Sequence, residues 1–254
     1  MLDFFSVVLG LIFGSFTNVL VFRLPQKQSV VFRPSYCPQC QKSILWKDKI
    51  PVLSYLFLGG KCRFCRNPIV SRYFWIEILG GLFFWLAFLH TGWNALLWFR
   101  IWPMLVLFLA ITFIDLEHRI IPDELNWVGW ILGMGTSWMI PGGWLPCFLG
   151  SVLGFCVFYA LAWVYFVVRN QSGLGGGDIK LLAMIGTFLG PEGVFVTIVL
   201  SSLLGSVVGM GYALVRKEQH WTQTALPFGP FLIVGALSYY FFGESLWLKW
   251  MMPN

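Results

Sequence analysis

The sequence predicts an all-α polytopic membrane protein with about eight transmembrane helices and a small cytoplasmic lobe. The chain has 254 residues, of which 58% are hydrophobic and only 11% charged, and its mean hydropathy is +0.76. A soluble domain of this size cannot bury so much apolar surface. The polar residues are concentrated in one segment, residues 23–73, between the first two apolar runs.

Apolar runs separated by turn residues predict eight membrane spans. Their approximate bounds are 2–22, 74–90, 95–114, 124–140, 145–168, 179–190, 193–215 and 228–242. No basic region precedes the first run, so we expect a retained span rather than a cleaved signal peptide. The motif "LGPEG" at 189–193 divides the sixth span from the seventh. The chain thus divides into a first span (1–22), a lobe (23–73) and a membrane core (74–254).

The distribution of positive charge predicts the orientation of these spans. Ten of the 17 Lys and Arg lie between Arg23 and Arg72, against the single acid Asp48. The positive-inside rule places that segment in the cytoplasm. With eight crossings, 15 of the 17 basic residues lie inside, and only Arg100 and Lys249 lie outside. No nucleic-acid-binding motif accompanies the charge, so we expect no nucleic acid partner.

Two C-x-x-C motifs, "CPQC" and "CRFC", stand in the polar lobe. Their cysteines are Cys37, Cys40, Cys62 and Cys65. Disulfides are disfavoured in the reducing cytosol, whereas four thiolates suit a tetrahedral zinc ion. A small segment with few core residues needs such a cross-link, and four protein ligands leave no open position for water. We therefore predict a structural zinc site, with four unmetallated thiols as the alternative.

Two aspartates lie at the cytoplasmic ends of predicted spans. Asp115 ends the third span in "AITFIDLEHRIIPDE", and Asp178 begins the sixth in "GLGGGDIKLLAMIG". A helix from Asp178 to Leu189 is only ~18 Å long, against ~30 Å of hydrocarbon. The glycine loop before it must therefore enter the membrane, where irregular backbone is tolerated only against protein or a water-filled cavity. We expect Asp178 to line such a cavity.

Two carboxylates that face one cavity suit aspartyl proteolysis. A pair about 3 Å apart shares one proton, so one carboxylate activates water while the other donates a hydrogen bond to the scissile carbonyl. The same acids also suit the proton relay of a transporter. Simple ion pairing is a third interpretation, of Asp115 with His118 or Arg119 and of Asp178 with Lys180. A non-enzymatic assembly factor would need neither acid.

Four motifs, in this order, resemble those of the prepilin peptidases, also called type IV leader peptidases. The stretch "GSFTNVLVFRLP" (14–25) resembles their amino-terminal signature, and residues 37–81 resemble their cytoplasmic zinc lobe. The stretches "FIDLEHRIIPD" and "GLGGGDIKLLAMIG" resemble the segments that hold their two catalytic aspartates. The second contains the GxGD signature that they share with presenilin-like intramembrane aspartyl proteases.

This resemblance implies a membrane aspartyl endopeptidase with Asp115 and Asp178 as its catalytic pair. The implied substrate is the leader of type IV prepilins or type II secretion pseudopilins, cut after a glycine at the cytoplasmic face of the bacterial inner membrane. We place Gly175, Gly177 and Lys180 in the substrate loop around Asp178, because glycines leave room for an extended substrate.

Many members of this family also methylate the new amino terminus with S-adenosylmethionine, and the resemblance implies the same activity here. Arg23, Arg72 and Glu77 are loose candidates for that site. Prepilin leaders are basic, so we expect the basic lobe to hold anionic lipid headgroups or the cofactor rather than the leader itself. Thr17 and Lys49 depart from the family's usual residues, and neither belongs to the catalytic pair.

Overall fold

The structure is a computed structural model that describes residues 2–32, 34–171, 173–216 and 227–251. Its helices are α1 (Leu2–Arg23), α2 (Leu53–Phe57), α3 (Arg72–Thr91), α4 (Trp102–His118), α5 (Asp123–Gly135), α6 (Trp144–Arg169), α7 (Gly176–Arg216) and α8 (Gly229–Met251). A π-helical turn at Leu97–Ile101 continues directly into α4. Within the described residues no strand forms, and the β pairing consists of two isolated bridges, Tyr36 with Ser43 and Lys61 with Pro68.

The predicted all-α polytopic architecture is confirmed. Five helices of the described residues are long and apolar enough to cross a membrane, namely Leu2–Arg23, Arg72–Thr91, Leu97–His118, Trp144–Arg169 and Gly176–Tyr212. The count of eight spans is not confirmed. At 13 residues, α5 is only about 20 Å long, shorter than the hydrocarbon layer. The sixth and seventh predicted spans lie in the two helical segments of α7, before and after Gly190.

The chain divides into two compact units, Met1–Ala110 and Ile111–Asn254. In the first unit, α1 and α3 pack side by side through glycines. A Cβ on Gly10 would overlap the carbonyl oxygen of Gly80, and a Cβ on Gly14 would lie 2.8 Å from the Cα of Glu77. Apolar burial gives helices little reason to associate within lipid, so this close backbone approach is what joins the pair.

The second unit is built around α7, against which α5, α6 and α8 all pack. The backbones of α6 and α7 touch where Gly150 meets Gly186. A Cβ on Gly154 would lie 2.6 Å from the carbonyl oxygen of Leu182. Because numbers rise along α6 as they fall along α7, the two helices run in opposite directions.

Helix α7 is kinked at Gly190, where φ is 69° and ψ is −174°, and Pro191 follows. Proline removes a helical N–H, and glycine alone reaches this backbone conformation without strain. The break that "LGPEG" predicts is therefore confirmed, because the non-helical backbone at Gly190 separates two helical segments of α7. Lys217, one of the basic residues that the charge distribution places inside, lies outside the described residues.

Adding a methyl group at Gly186 is expected to destabilise the second unit. The Cβ of Gly186→Ala would overlap the backbone of Gly150, and overpacking of this kind costs about 1–3 kcal/mol. Gly211→Ala is the matched control on the same helix, because nothing lies within 4 Å of its added Cβ. Thermal unfolding in detergent should show a lower Tm for Gly186→Ala alone. Equal midpoints for the two variants would contradict the packing described.

Candidate active site and metal centre

Asp115 lies in the last turn of α4 and is buried, with 5% of its surface exposed. Its Oδ2 accepts a hydrogen bond of 3.0 Å from the backbone N–H of Gly229. Gly229 is the first residue of α8, and the N–H groups of a first helical turn have no partner within their own helix. The Asp115 carboxylate therefore supplies the acceptor that the start of α8 requires.

Asp178 lies in the first turn of α7, directly after the glycine loop, and is half-buried. Its N–H donates to the carbonyl oxygen of Gly175 at 3.1 Å. A Cβ on Gly175 would lie 2.9 Å from Oδ2 of Asp178, so a side chain there would press on the carboxylate. The carboxylates of Asp178 and Asp115 lie close enough to interact electrostatically.

The side chain of Ile121 connects the two aspartate segments. Its Cβ lies 2.9 Å from the position that a Cβ on Gly177 would take. Its Cδ1 lies 3.3 Å from the corresponding position at Gly229, next to the Asp115 carboxylate. The turn after α4, the glycine loop and the start of α8 therefore meet at one apolar side chain, with an aspartate on either side.

Among the described residues, Asp115 forms no ion pair with His118 or Arg119, and Asp178 forms none with Lys180. Lys180 pairs instead with Asp123, with Nζ and Oδ2 2.7 Å apart and both side chains about half exposed. His118 lies 3.9 Å from a carboxylate oxygen of Glu117. Across the described residues, neither Asp115 nor Asp178 has a cationic partner. Two carboxylates that interact in this way can serve as an acid and a base when they approach closely enough to share one proton.

The sequence patterns did not indicate two residues of this site. Gly229 donates to Asp115, and Ile121 packs between the segments. The signal for Gly229 was the "FGP" motif at the start of the last span, while Ile121 carries no local signal.

The four lobe cysteines converge as the C-x-x-C motifs predict. The Sγ atoms of Cys37, Cys40, Cys62 and Cys65 all lie within 4.8 Å of one another, and Cys37 and Cys65 are 3.9 Å apart. Zinc–sulfur bonds of about 2.3 Å in a tetrahedron separate the sulfurs by about 3.8 Å, so the cluster fits a zinc ion. Hydrogen bonds from the N–H groups of Cys65 and Phe64 lower the pKa of the Cys62 thiol to about 6. They thereby favour the thiolate, which is the form that binds metals.

The two C-x-x-C turns have the same backbone conformation. Gln41 donates its N–H to Cys37, and Arg66 donates to Cys62, in each case from the fourth residue after the first cysteine. Both residues adopt the left-handed conformation, with φ of 58° and 59°. The lobe thus contains the same short turn twice, and together the two turns direct four thiols to one centre.

The loose methyltransferase candidates all lie in the first unit. Arg23 is buried, and its guanidinium donates to the carbonyl oxygens of Ser29, Val30 and Pro34. The guanidinium of Arg72 lies 5.0 Å from the centre of the neighbouring Tyr73 ring.

Glu77, the third candidate, accepts a hydrogen bond from a backbone N–H of the lobe, that of Val52. Arg23 and Glu77 thus hold lobe backbone.

Two family models cover most of the chain. Residues 8–91 match the bacterial peptidase A24 N-terminal domain, and residues 102–210 match the type IV leader peptidase family. The chain is 31% identical to a prepilin leader peptidase/N-methyltransferase of Aeromonas salmonicida (strain A449), over 99% of this chain and 94% of that protein. It is 31% identical to a protein of the same name from Neisseria gonorrhoeae, over 98% and 94%.

A third relative is the type 4 prepilin-like proteins leader peptide-processing enzyme of Escherichia coli O78:H11 (strain H10407 / ETEC). It is 33% identical, over 92% of this chain and 91% of its own length. No solved structure matches the chain.

Proposed function

The chain belongs to the type IV leader peptidase family, and we propose that it uses Asp115 and Asp178 to remove the leaders of type IV prepilins or type II secretion pseudopilins. It is a membrane enzyme that acts as a leader peptidase. The names of its relatives also support N-methylation of the cleaved product. The comparisons give the transporter alternative no support. The observation that carries the residue assignment is the pair of neighbouring carboxylates without a cationic partner.

In the proposed mechanism the two carboxylates share one proton. The ionised carboxylate removes a proton from a water molecule as its oxygen adds to the scissile carbonyl carbon. The protonated carboxylate donates to the carbonyl oxygen, where negative charge develops. Collapse of the tetrahedral intermediate breaks the C–N bond, and the released amine takes up the proton that the carboxylate removed from water. The Gly229 N–H holds the Asp115 carboxylate in one orientation during these steps.

The glycine loop supports the proposal by leaving space beside Asp178. A side chain at Gly175 would contact the carboxylate, and one at Gly177 would collide with Ile121. An extended substrate can therefore approach where no side chains intervene. Lys180 pairs with Asp123 at the edge of this loop, which makes it a residue of the loop rather than a partner of the catalytic pair.

We assign the four-cysteine cluster to a structural zinc ion. All four ligands come from the protein, so the ion would cross-link the lobe and take no part in cleavage. S-adenosylmethionine, when bound, supplies the methyl group for the new amino terminus. Arg23, Arg72 and Glu77 stay loose candidates for that second reaction, and the basic lobe is expected to face the cytoplasm beside anionic headgroups.

We place the enzyme in the bacterial inner membrane, with the active site at the cytoplasmic face, on the positive-inside rule. Purified protein incubated with a prepilin tests the activity directly by mass spectrometry. We expect loss of the leader without cofactor, and one added methyl group when S-adenosylmethionine is present. A transporter would instead give solute flux in liposomes, and an intact prepilin after long incubation would reject the proposal.

Adding a methyl group at Gly229 is expected to slow cleavage about tenfold to a hundredfold. The Cβ would lie 2.8 Å from Oδ2 of Asp115 and would displace that carboxylate, and small misplacements of catalytic groups have effects of this size. Gly205→Ala is the matched control, since its Cβ would make only ordinary contacts of 3.4 Å or more. Initial cleavage rates and Tm are measured for both. Wild-type rates in Gly229→Ala would show that the Asp115 position is unimportant.

A further inference from the structure

We propose that Glu77 is the anchor that positions the four-cysteine lobe on the α1–α3 helix pair. It does so by accepting a hydrogen bond from the N–H of Val52, which lies in a strained turn of the lobe. The inference concerns the resting protein, so it goes beyond the catalytic proposal and does not depend on it.

Beyond the Arg23 guanidinium, which holds the backbone between Ser29 and Pro34, the lobe has few contacts that could fix its position. Within the described residues 24–32 and 34–71, Cys37 is the one buried residue, so no apolar core of the lobe's own holds it in place. Near α3 the ring of Tyr55 lies 5.2 Å from that of Phe74. The Glu77 carboxylate lies in the same region, with Oε2 2.7 Å from the backbone nitrogen of Val52.

The turn that carries this N–H has an unusual backbone. Val52 adopts φ 62° and ψ −52°, and the N–H of Leu53 donates to the carbonyl oxygen of Pro51 at 2.6 Å. This is the γ-turn of positive φ, which is rare and strained. A β-branched residue such as valine is especially strained at positive φ, because its Cβ substituents crowd the backbone. A strained turn persists only where its surroundings hold it.

Glu77 lies where it can hold the turn at Val52 in place. It lies on α3 at the crossing with α1, where a Cβ on Gly14 would come within 2.8 Å of its Cα, and it is 9% exposed. The side chain of Ser15 on α1 lies near the same carboxylate. One carboxylate on α3 thus contacts the lobe at the point where α1 and α3 pack together. A hydrogen bond from N–H to a carboxylate is stronger than one between neutral groups, which offsets the strain at Val52.

Hydrogen exchange of the full-length protein in detergent, without substrate, tests the anchor. In Glu77→Ala the amides around Val52 should exchange about tenfold faster or more, the factor that loss of one hydrogen bond to a charged group corresponds to. In Glu77→Gln the increase should be smaller than in Glu77→Ala, because the amide oxygen still accepts the Val52 N–H but the bond between neutral groups is weaker. Asp48→Asn is the control, since its carboxylate pairs with Arg63 of the same lobe and not with Val52.

Two results would overturn the anchor. One is wild-type exchange around Val52 in Glu77→Ala. The other is equal acceleration in Glu77→Gln and Glu77→Ala, which would mean that an acceptor oxygen at this position does not hold the turn. If Glu77→Ala fails to fold, Glu77→Asp replaces it. The shorter side chain keeps the charge but draws the acceptor oxygen away from Val52, so exchange around Val52 should rise by a smaller factor, and no rise would count against the proposal.

Discussion

Asp115→Asn and Asp178→Asn are each expected to lower the rate of leader cleavage by about 10²–10⁴-fold. An amide can neither take a proton from water nor give one to the scissile carbonyl oxygen, so either change removes half of the acid–base pair. The remaining aspartate has no cationic neighbour in the described chain to take over the missing role. Single-turnover cleavage of a prepilin, followed by mass spectrometry, gives the rates.

The control for this pair is Asp123→Asn. Asp123 lies close by, but it is about half exposed and pairs with Lys180. Exposed ion pairs contribute about 0–1 kcal/mol, so this variant should cleave within a few-fold of wild type. If both catalytic-pair variants cleaved as fast as Asp123→Asn, the assignment of Asp115 and Asp178 would fail even though the family membership would stand.

Removal of the metal is expected to unfold the cysteine lobe while the membrane helices stay folded. Structural zinc contributes about 10–16 kcal/mol in small zinc-binding peptides, as much as the whole stability of many domains. The lobe has no apolar core to compensate, since Cys37 is its one buried residue among those described. Cys62→Ser should lower the bound zinc from one ion per chain to near zero and expose the lobe to protease.

Cys156→Ser is the matched control, because Cys156 is exposed on α6 and lies outside the cluster. It should keep one zinc ion per chain and a protease-resistant lobe. Metal content by elemental analysis and the fragment pattern of limited proteolysis report the two quantities separately. A lobe that resists protease equally well in Cys62→Ser, or after chelation, would contradict a structural role for the metal.

Local patterns in the sequence were sufficient for the features that depend on neighbouring residues. The spacing of the C-x-x-C motifs predicts the cysteine cluster, because each motif forms its turn from a few consecutive residues. Gly190 and Pro191 predict the kink in α7 for the same reason. Both aspartates lie at helix ends as expected, Asp115 in the last turn of α4 and Asp178 in the first turn of α7.

Features that depend on distant residues were not predictable in this way. The Gly229 N–H reaches Asp115 only through packing of α8, and the Ile121 contacts depend on how three segments meet. The number of spans depends on how far each helical segment crosses the membrane, and hydropathy does not show whether the two segments of α7 on either side of Gly190 make one crossing or two. Glu77 shows the same limit, since its position at a span end gives no hint of the Val52 turn that it binds.

The hydrogen bond between Asp115 and Gly229 joins residues 114 positions apart in the chain. A ribosome must therefore complete α4, α5, α6 and α7 before the group that orients Asp115 has been synthesised. Until α8 begins, the nascent chain holds both aspartates without the contact that fixes one of them. Biosynthesis itself thus delays assembly of the site until nearly the whole protein has entered the membrane, and a chain truncated before Gly229 would carry both acids in an incomplete arrangement.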